Sequence, residues 1–192
     1  MLLTINNIPE IVVTTSIYRW HTLILGTLLE RVLRDRESTL DTAYSKFFYP
    51  LKDFSPSTKC VIAGSIRREK PLVHDIDLLV VSKEKEIIDW CRNQLTDCNG
   101  YFYLSGKLDD IDCQVWFCDE SNFGPALLKW TGPQTFNRRL CIVAKQMGGT
   151  LSELGLFKGS PDNRGERIDN NTEGDIIWKI LHRKWIHPRD RF

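Results

Sequence analysis

The chain has 192 residues, of which 42% are hydrophobic and 27% are charged. This balance is typical of globular domains and excludes a disordered tail, a collagen and a small disulfide-bonded scaffold. No apolar run approaches the roughly 20 residues of a membrane span, and the first residues lack the basic segment of a signal peptide. We therefore expect no membrane partner and an intracellular location, without distinguishing cytoplasm, nucleus and virion.

Charge is unevenly distributed along the chain, although the formal net charge is only +1. Residues 64–125 contain 7 Lys and Arg against 12 Asp and Glu, whereas residues 126–192 contain 12 against 7. An acidic segment followed by a basic one favours a metal site beside a surface that binds a polyanion. The alternative is an ordinary difference in charge between two lobes.

Hydrophobic periodicity predicts a mixed order of helices and strands. Apolar residues at helical spacing predict a helix over residues 16–36, and Pro50 and Pro56 are expected to break any long element within residues 38–58. The further predicted elements, in chain order, are strands at 59–63 and 76–81, a helix at 84–95, strands at 101–104 and 111–117, a helix capped by Ser121 that includes 126–130, a helix at 134–147, a strand region at 151–158, a polar loop at 159–171 and a helix from Thr172 to about Leu181. This order indicates an α+β or an α/β fold.

The segment after the first predicted strand combines a glycine, a hydroxyl group and two arginines in the run Gly64-Ser65-Ile66-Arg67-Arg68. A glycine there permits a tight turn and a close approach of the backbone to a ligand. Ser65 and the arginines supply donors for phosphate oxygens. The run therefore predicts a phosphate-binding turn.

Three aspartates provide carboxylates near this turn. Asp75 and Asp77 begin the next predicted strand, where a period of two puts both on one face. Asp112 begins the strand at 111–117, on the face opposite the apolar residues, whereas Asp109 and Asp110 are interpreted as turn residues. Carboxylates held close together repel unless cations lie between them, and Mg²⁺ or Mn²⁺ suits oxygen ligands. The set is that of two-metal phosphoryl transfer.

Three motifs resemble, in order and spacing, those of the family X DNA polymerases within the nucleotidyltransferase superfamily. The motifs are G-S-x-R-R at 64–68 with D-I-D at 75–77, then K-W-T-G-P at 129–133 with F-N-R-R at 136–139, and finally T-E-G-D-I-I at 172–177 with P-x-x-R at 188–191. The resemblance covers the chain from about residue 59 to its end.

The resemblance implies an α+β fold in two lobes. Residues 59–131 would form a nucleotidyltransferase palm with a mixed β-sheet, and residues 132–192 a small thumb that binds DNA and nucleotide. Residues 1–58 would be an N-terminal extension whose long helix packs on the palm. They are too few for both a lyase domain and fingers, so the chain resembles the minimal palm-and-thumb members of the family, of the kind that viruses carry, and no lyase activity is expected.

The resemblance also implies roles for individual residues. Asp75, Asp77 and Asp112 would hold two Mg²⁺ ions, which Mn²⁺ can replace, and Asp112 would help to activate the primer 3′-hydroxyl. Ser65 and Arg68 would hold the β- and γ-phosphates. The full implied sets are Gly64, Ser65, Arg68, Trp130, Gly132 and Asn137 for the nucleotide, and Arg138, Arg139, Arg183 and Lys184 for DNA.

The implied function is that of a DNA-directed DNA polymerase that adds dNMP to a primer 3′-hydroxyl and fills short gaps in DNA repair. Its partners would be dNTP and a gapped or nicked primer–template, and the protein would act as a monomer. Two positions depart from the family pattern. Lys129 stands where a tyrosine or a glycine is usual beside the sugar, and Gln114 stands where an arginine often follows the third aspartate.

Three alternatives stay open from the sequence. Trp130 favours a template-independent terminal nucleotidyltransferase, which would extend a single strand. A nucleotidyltransferase that acts on RNA, a protein or a small molecule would share the three aspartates. A DNA-binding module without catalysis is the third alternative, against which the intact aspartates argue.

Overall fold

The computed structural model describes residues 35–100 and 102–192. Residues 35–43 are helical (α1) and continue through a π-helical turn, Tyr44–Phe48, into α2, Tyr49–Phe54. Pro50 lies within this helical run, just after the π-helical turn, and the helix continues past it to Phe54. The predicted break at Pro50 is therefore wrong, and the helix predicted over 16–36 lies outside the described residues except for its last two.

Five strands form one mixed sheet in the order β1-β2-β5-β4-β3. β2 and β5 pair in parallel, and the other neighbouring strands of this sheet pair antiparallel. Helix α3 follows β1, and α4 follows β2. The bounds are β1 Lys59–Ile62, α3 Gly64–Arg67, β2 Asp75–Val81, α4 Lys85–Asn93, β3 Thr96–Asn99, β4 Tyr103–Leu108 and β5 Ile111–Cys118.

The two faces of this sheet have different roles. Side chains of β2 and β5 that point to one face are buried against the helices that precede the sheet and against α4. This core includes Ile76 and Leu78 of β2, Cys113 and Val115 of β5, and Phe47, Leu51, Ile87 and Cys91 of the helices. The opposite face carries Asp75, Asp77 and Asp112 at one end of the strands. The predicted alternation along both strands is thus confirmed, and it leaves the carboxylates outside the core.

Helix α5, Phe123–Thr131, leads from the sheet into the second half of the chain. Here α6 and α7 pack on a three-stranded antiparallel sheet around a separate apolar cluster that includes Phe136, Leu140, Leu156 and Ile176. The bounds are α6 Gln134–Gln146, β6 Gly149–Ser152, β7 Gly155–Ser160, β8 Asn163–Arg167 and α7 Glu173–Leu181, with short 3-10 turns at Glu120–Asn122 and Pro188–Asp190.

Several local predictions need correction. The polar loop expected at 159–171 is wrong, because β7 extends to Ser160 and β8 follows it. β8 is exposed along most of its length, so it has no apolar alternation to reveal it. The four-residue strand β3 was missed for a similar reason, and β4 begins at Tyr103 and continues to Leu108. Asp119, and not Ser121, caps the turn before α5.

Other local predictions are confirmed. The hydroxyl of Thr172 accepts a hydrogen bond from the backbone N–H of Asp175 (3.1 Å) and so caps α7. Asp109 and Asp110 form the turn between β4 and β5. The fold class is α+β, as predicted. Among the described residues, no helix combines the length and apolar character that a membrane crossing requires.

Candidate active site

The parallel pairing of β2 with β5 brings the three aspartates to one end of the sheet. Asp75 and Asp112 are register partners, and Asp77 is opposite Gln114. Burial, and then the negative charge of Asp75, raise the pKa of Asp77 to about 6. The positive charge of Arg68 acts in the opposite direction but does not cancel these two effects, and a divalent cation would supply further counter-charge to the carboxylates. The donor set of this sheet end therefore suits a hard cation.

Lys107 on β4 forms an ion pair with Asp112, the third of the aspartates. It is the antiparallel register partner of Asp112, and its ammonium group donates to Asp112 Oδ1 at 3.0 Å. Within residues 35–100 and 102–192, no three His, Cys, Asp or Glu side chains are arranged so that they could hold a metal ion. The set of three aspartate ligands stays a prediction, and it requires Asp112 to exchange Lys107 for a cation.

The turn after β1 approaches the aspartates closely at Gly64. Gly64 has φ +55°, and a Cβ at this position would lie 1.8 Å from Asp77 Oδ2. A side chain there would both strain the backbone and collide with the carboxylate. The next residue, Ser65, has a buried hydroxyl without a hydrogen-bond partner among the described residues. Such a group costs free energy unless a ligand binds it, which agrees with the predicted phosphate turn.

Arg68 connects this turn to the start of the second half of the chain. Its Nη1 donates to the backbone oxygen of Thr131, and it lies 3.2 Å from the position of a Cβ on Gly132. Burial lowers the pKa of Arg68, against the opposing influence of Asp77 and Asp75. Its Nε is buried and has no partner in the described chain. Arg68 thus has unused donor capacity between the carboxylates and Gly132.

Trp130 lies on the same side of the sheet and packs against β5. Its ring stacks on Trp116 with centroids 3.4 Å apart, and Trp116 stacks in turn on Tyr103 at 4.3 Å. Because Trp116 shares a strand face with Asp112, this stack places Trp130 on the sheet face that carries the aspartates.

Lys129, the residue that departs from the family pattern, is held by two contacts. Its ammonium group pairs with Glu153 Oε2 at 2.8 Å, and its backbone oxygen accepts from Asn137 Nδ2 at 2.6 Å. Although burial acts to raise it, the hydrogen bond from Lys129 lowers the pKa of Glu153. The Oδ1 atom of Asn137 is buried and lacks a partner in the described chain. Lys129 and Asn137 both border a cavity of about 300 Å³.

A buried ion network fixes the turn to the second half of the molecule. Arg67 donates from Nη1 and Nη2 to the two carboxylate oxygens of Glu173 at 2.8 and 2.6 Å, and Nη1 also donates to the Thr131 hydroxyl at 2.6 Å. Arg191, which is fully buried, donates to Glu173 Oε1 at 3.0 Å. Although burial acts to raise it, the two arginines lower the pKa of Glu173.

The predicted DNA-binding residues are exposed. Arg138 and Arg139 lie in α6, just after Asn137, and Arg183 and Lys184 lie after α7. The structure thus places Gly64 and Arg68 beside the aspartates, Gly132 beside Arg68 and Trp130 on the same sheet face, whereas Asn137 contacts Lys129 and borders the cavity of about 300 Å³. None of these placements tests their roles.

The sequence of the chain is similar to those of several known DNA polymerases. Residues 126–192 match the family model for the DNA polymerase beta thumb. The chain is 30% identical over 174 residues to DNA polymerase lambda of Arabidopsis thaliana and 29% identical over 174 residues to that of Rattus norvegicus. It is 24% identical over 151 residues to repair DNA polymerase X of African swine fever virus, isolate Warthog/Namibia. The chain is therefore similar to family X DNA polymerases, and the match to the thumb of that family covers residues 126–192.

The family X relatives differ in how much of them the chain covers. The matches to the plant and rat polymerases cover 71% and 72% of this chain but only 32% and 29% of those proteins. The match to the viral polymerase covers 71% of this chain and 82% of the viral protein. The chain therefore spans about a third of the length of the lambda polymerases.

Sequence reasoning missed two charged residues that shape this family X site. Lys107 could have been found, since a two-residue turn at Asp109 and Asp110 makes Lys107 the partner of Asp112. Glu173 carried no such signal. Its partner Arg67 is 106 residues away, and nothing in the local sequence marks Glu173 as buried.

Proposed function

We propose that the chain is a DNA-directed DNA polymerase that adds dNMP to a primer 3′-hydroxyl and fills short gaps in DNA. The observation that carries this proposal is the approach of Gly64 to Asp77, which sets a phosphate turn against the carboxylates of β2 and β5. The family X relatives support a polymerase, and the repair polymerase X relative supports a role in repair. We also propose that the protein is intracellular and acts as a monomer.

In the proposed reaction, Ser65 and Arg68 bind the β- and γ-phosphates through donors that have no hydrogen-bond partner among the described residues. Asp75, Asp77 and Asp112 would hold two Mg²⁺ ions. Bound there, the ions would lower the pKa of the primer hydroxyl and neutralise charge on the leaving pyrophosphate. Asp112 accepts a hydrogen bond from the 3′-hydroxyl once Lys107 has moved away.

The remaining residues would position the substrates. Trp130 and Gly132 border the sugar of the incoming nucleotide, and Asn137 offers an amide to the new base pair. Arg138 and Arg139 contact phosphates of the DNA duplex, and Arg183 and Lys184 contact further phosphates of the DNA substrate. Since these contacts are electrostatic and the net charge of the chain is near zero, DNA affinity should be modest and should fall with salt.

A terminal nucleotidyltransferase is the second candidate function. The observation in its favour is Trp130, whose ring is held in the site by Trp116. Such an enzyme would extend a single-stranded primer with no template.

One primer-extension experiment separates the candidates. A labelled primer is supplied either single-stranded or in a one-nucleotide gap, with Mg²⁺ or Mn²⁺ and with each dNTP alone. The matched variants are Asp112→Asn and Asp110→Asn, which change one carboxylate each in the same hairpin. We expect incorporation of the templated nucleotide in the gap, a loss of at least about 1,000-fold in Asp112→Asn and near-normal rates in Asp110→Asn.

The other outcomes contradict the proposal in distinct ways. Extension of the single strand by any nucleotide would favour the terminal transferase. No extension of either substrate would exclude both and would direct the search to RNA, protein or small-molecule acceptors. Equal activity of Asp112→Asn and Asp110→Asn would remove Asp112 from the reaction.

A further inference from the structure

Two tryptophans lie exposed on one face of α7, away from the core of the thumb. The side chains of Trp178 and Trp185 are 54% and 48% exposed. Trp185 follows the helix but packs back on its first turn, since a Cβ on Gly174 would lie 3.6 Å from Trp185 Cδ1. Gly174 and Trp178 are one helical turn apart and share a face. The two indoles are therefore neighbours along that face, which we call the α7 surface.

Imidazole rings support both indoles. His182, one turn after Trp178, packs at 6.3 Å between ring centroids with an interplanar angle of 88°. His187 packs against Trp185 at 5.4 Å and 81°. Edge-to-face contacts of this kind restrict the rotation of an aromatic side chain. The exposed indoles are thus held in place, which lowers the entropy that a stacked ligand would cost.

Positive charge lies beside these rings. Arg183 and Lys184 are exposed, and neither forms an ion pair with any residue that the structure describes. Two carboxylates of this part of the molecule are engaged by other cations: Asp175 pairs with Lys179 at 2.8 Å, and Glu69 pairs with Arg189 at 3.2 Å. The α7 surface therefore combines two open aromatic rings with two unpaired cations.

We propose that the α7 surface binds single-stranded nucleic acid. Unpaired bases stack on Trp178 and Trp185, while Arg183 and Lys184 contact the phosphates between them. Aromatic platforms with flanking cations are how proteins hold single strands without reading their sequence. A duplex does not fit this surface equally well, because the faces of its bases are already stacked on one another.

The α7 surface lies near the candidate active site. Arg189 and His187 both contact Glu69, the residue after Arg68, at 3.2 and 3.8 Å. A strand on the α7 surface would thus run beside Arg68 and the turn at Gly64. The binding itself needs neither divalent cations nor a nucleotide, so it does not depend on the proposed polymerase activity.

The test measures binding of a fluorescein-labelled dT12 by anisotropy, with EDTA present and without dNTP. We expect Trp178→Ala/Trp185→Ala to weaken binding by at least about tenfold, whereas Trp178→Phe/Trp185→Phe stays within about threefold, because phenylalanine also stacks. Tyr49→Ala is the control, since Tyr49 is an exposed aromatic (59%) far along the chain; it should bind as the wild type does.

A second pair of variants keeps the test valid if the alanine variant unfolds. Arg183→Gln/Lys184→Gln should reduce the slope of log Kd against log salt by about 1.4, since each phosphate contact on a single strand contributes about 0.7. Because the dT12 assay contains EDTA and no dNTP, its result is independent of whether the polymerase assay succeeds.

Three results would overturn the proposal. Unchanged dT12 binding in the folded Trp178→Ala/Trp185→Ala variant is the first. Equal weakening for dT12 and for a 12-mer of abasic sites is the second, because it would show that stacking on bases plays no part. The third is a wild-type dimer in sedimentation that this variant breaks without any change in dT12 binding, which would assign the α7 surface to a second copy of the chain.

Discussion

Arg67 and Arg68 are consecutive residues, yet they lie in opposite electrostatic situations. The guanidinium of Arg67 is engaged by Glu173 and Thr131, and Arg191 completes that network. Arg68 faces Asp75 and Asp77 with a buried Nε that has no partner in the described chain. Two clusters of buried charge thus meet at one short helix. In the first, Glu173 pairs with two arginines, although Nη2 of Arg191 has no hydrogen-bond partner among the described residues; in the second, two carboxylates face Arg68 without forming an ion pair in the described chain.

The difference separates structure from function. Buried charges that satisfy one another hold two parts of a chain together, and removing one partner is costly. Buried charges without partners lower stability, so their persistence indicates a ligand that completes them. The network around Glu173 therefore fixes the turn at Gly64 and Ser65 to the second half of the chain, and we propose that the cluster around Asp77 binds a cation and a phosphate.

The largest effect should come from breaking the satisfied cluster. Glu173→Gln would leave the buried guanidinium of Arg191 without its counter-charge, and we expect a loss of about 3–5 kcal/mol in the free energy of unfolding. Urea denaturation measures this. Glu166→Gln is the matched control, because Glu166 forms an exposed pair with Lys158, and its loss should change stability little. Similar stabilities for the two variants would contradict the assignment.

A smaller effect, opposite in sign, should come from the open cluster. Because the pKa of Asp77 is raised from 3.8 to about 6, the folded protein holds this proton more tightly than the unfolded chain. Asp77 should therefore reduce the free energy of unfolding as the pH rises from about 4 to 6, by at most about 3 kcal/mol.

The variant Asp77→Asn isolates this contribution. The difference in unfolding free energy between the variant and the wild type should grow in favour of the variant over that pH range, in EDTA. Added Mg²⁺ should reduce the difference, since a bound cation stabilises the charged carboxylate. A difference that is independent of pH would show that Asp77 does not carry the raised pKa.

The smallest effect concerns Lys107, the cation that the protein supplies to Asp112. Lys107→Met should tighten Mn²⁺ binding by about threefold, because the metal then displaces no ammonium group from this exposed carboxylate. Isothermal titration calorimetry measures it, with Lys158→Met as the control for lost surface charge. Unchanged or weaker Mn²⁺ binding in Lys107→Met would mean that Lys107 does not compete with the metal.

The sequence predicted the open cluster better than the closed one. Asp75 and Asp77 lie two residues apart at the start of β2, and Asp112 lies near the start of β5 opposite its apolar residues, so the side of each strand that carries them followed from a period of two. The turn at Gly64 and Ser65 stood out because its residue types suit phosphate. The local pattern of residues indicated both features. The parallel register of β2 and β5 then brings Asp112 next to Asp75.

The closed cluster depends on contacts that no local pattern encodes. Arg67 and Glu173 are brought together only when the thumb packs on the palm, and Arg67 looked like a second phosphate donor next to Arg68. The exposed strand Asn163–Arg167 was missed because hydrogen bonds to β7, and not apolar burial, hold it. The sequence therefore did not predict ion pairs between residues far apart in the chain, or strands that are exposed on both faces.

Ligand-linked stability tests the contrast between the two clusters most directly. Urea denaturation would be carried out on the wild type, Glu173→Gln and Asp75→Asn/Asp77→Asn. Each protein would be measured with and without Mg²⁺ and a dNTP, the dNTP at about 100 times the Kd of the wild type. We expect the wild type and Glu173→Gln to gain the same increment of about 2.7 kcal/mol, and Asp75→Asn/Asp77→Asn to gain almost none. An equal gain in all three proteins, or no gain in the wild type, would contradict the claim that the cluster around Asp77 is where the ligand binds.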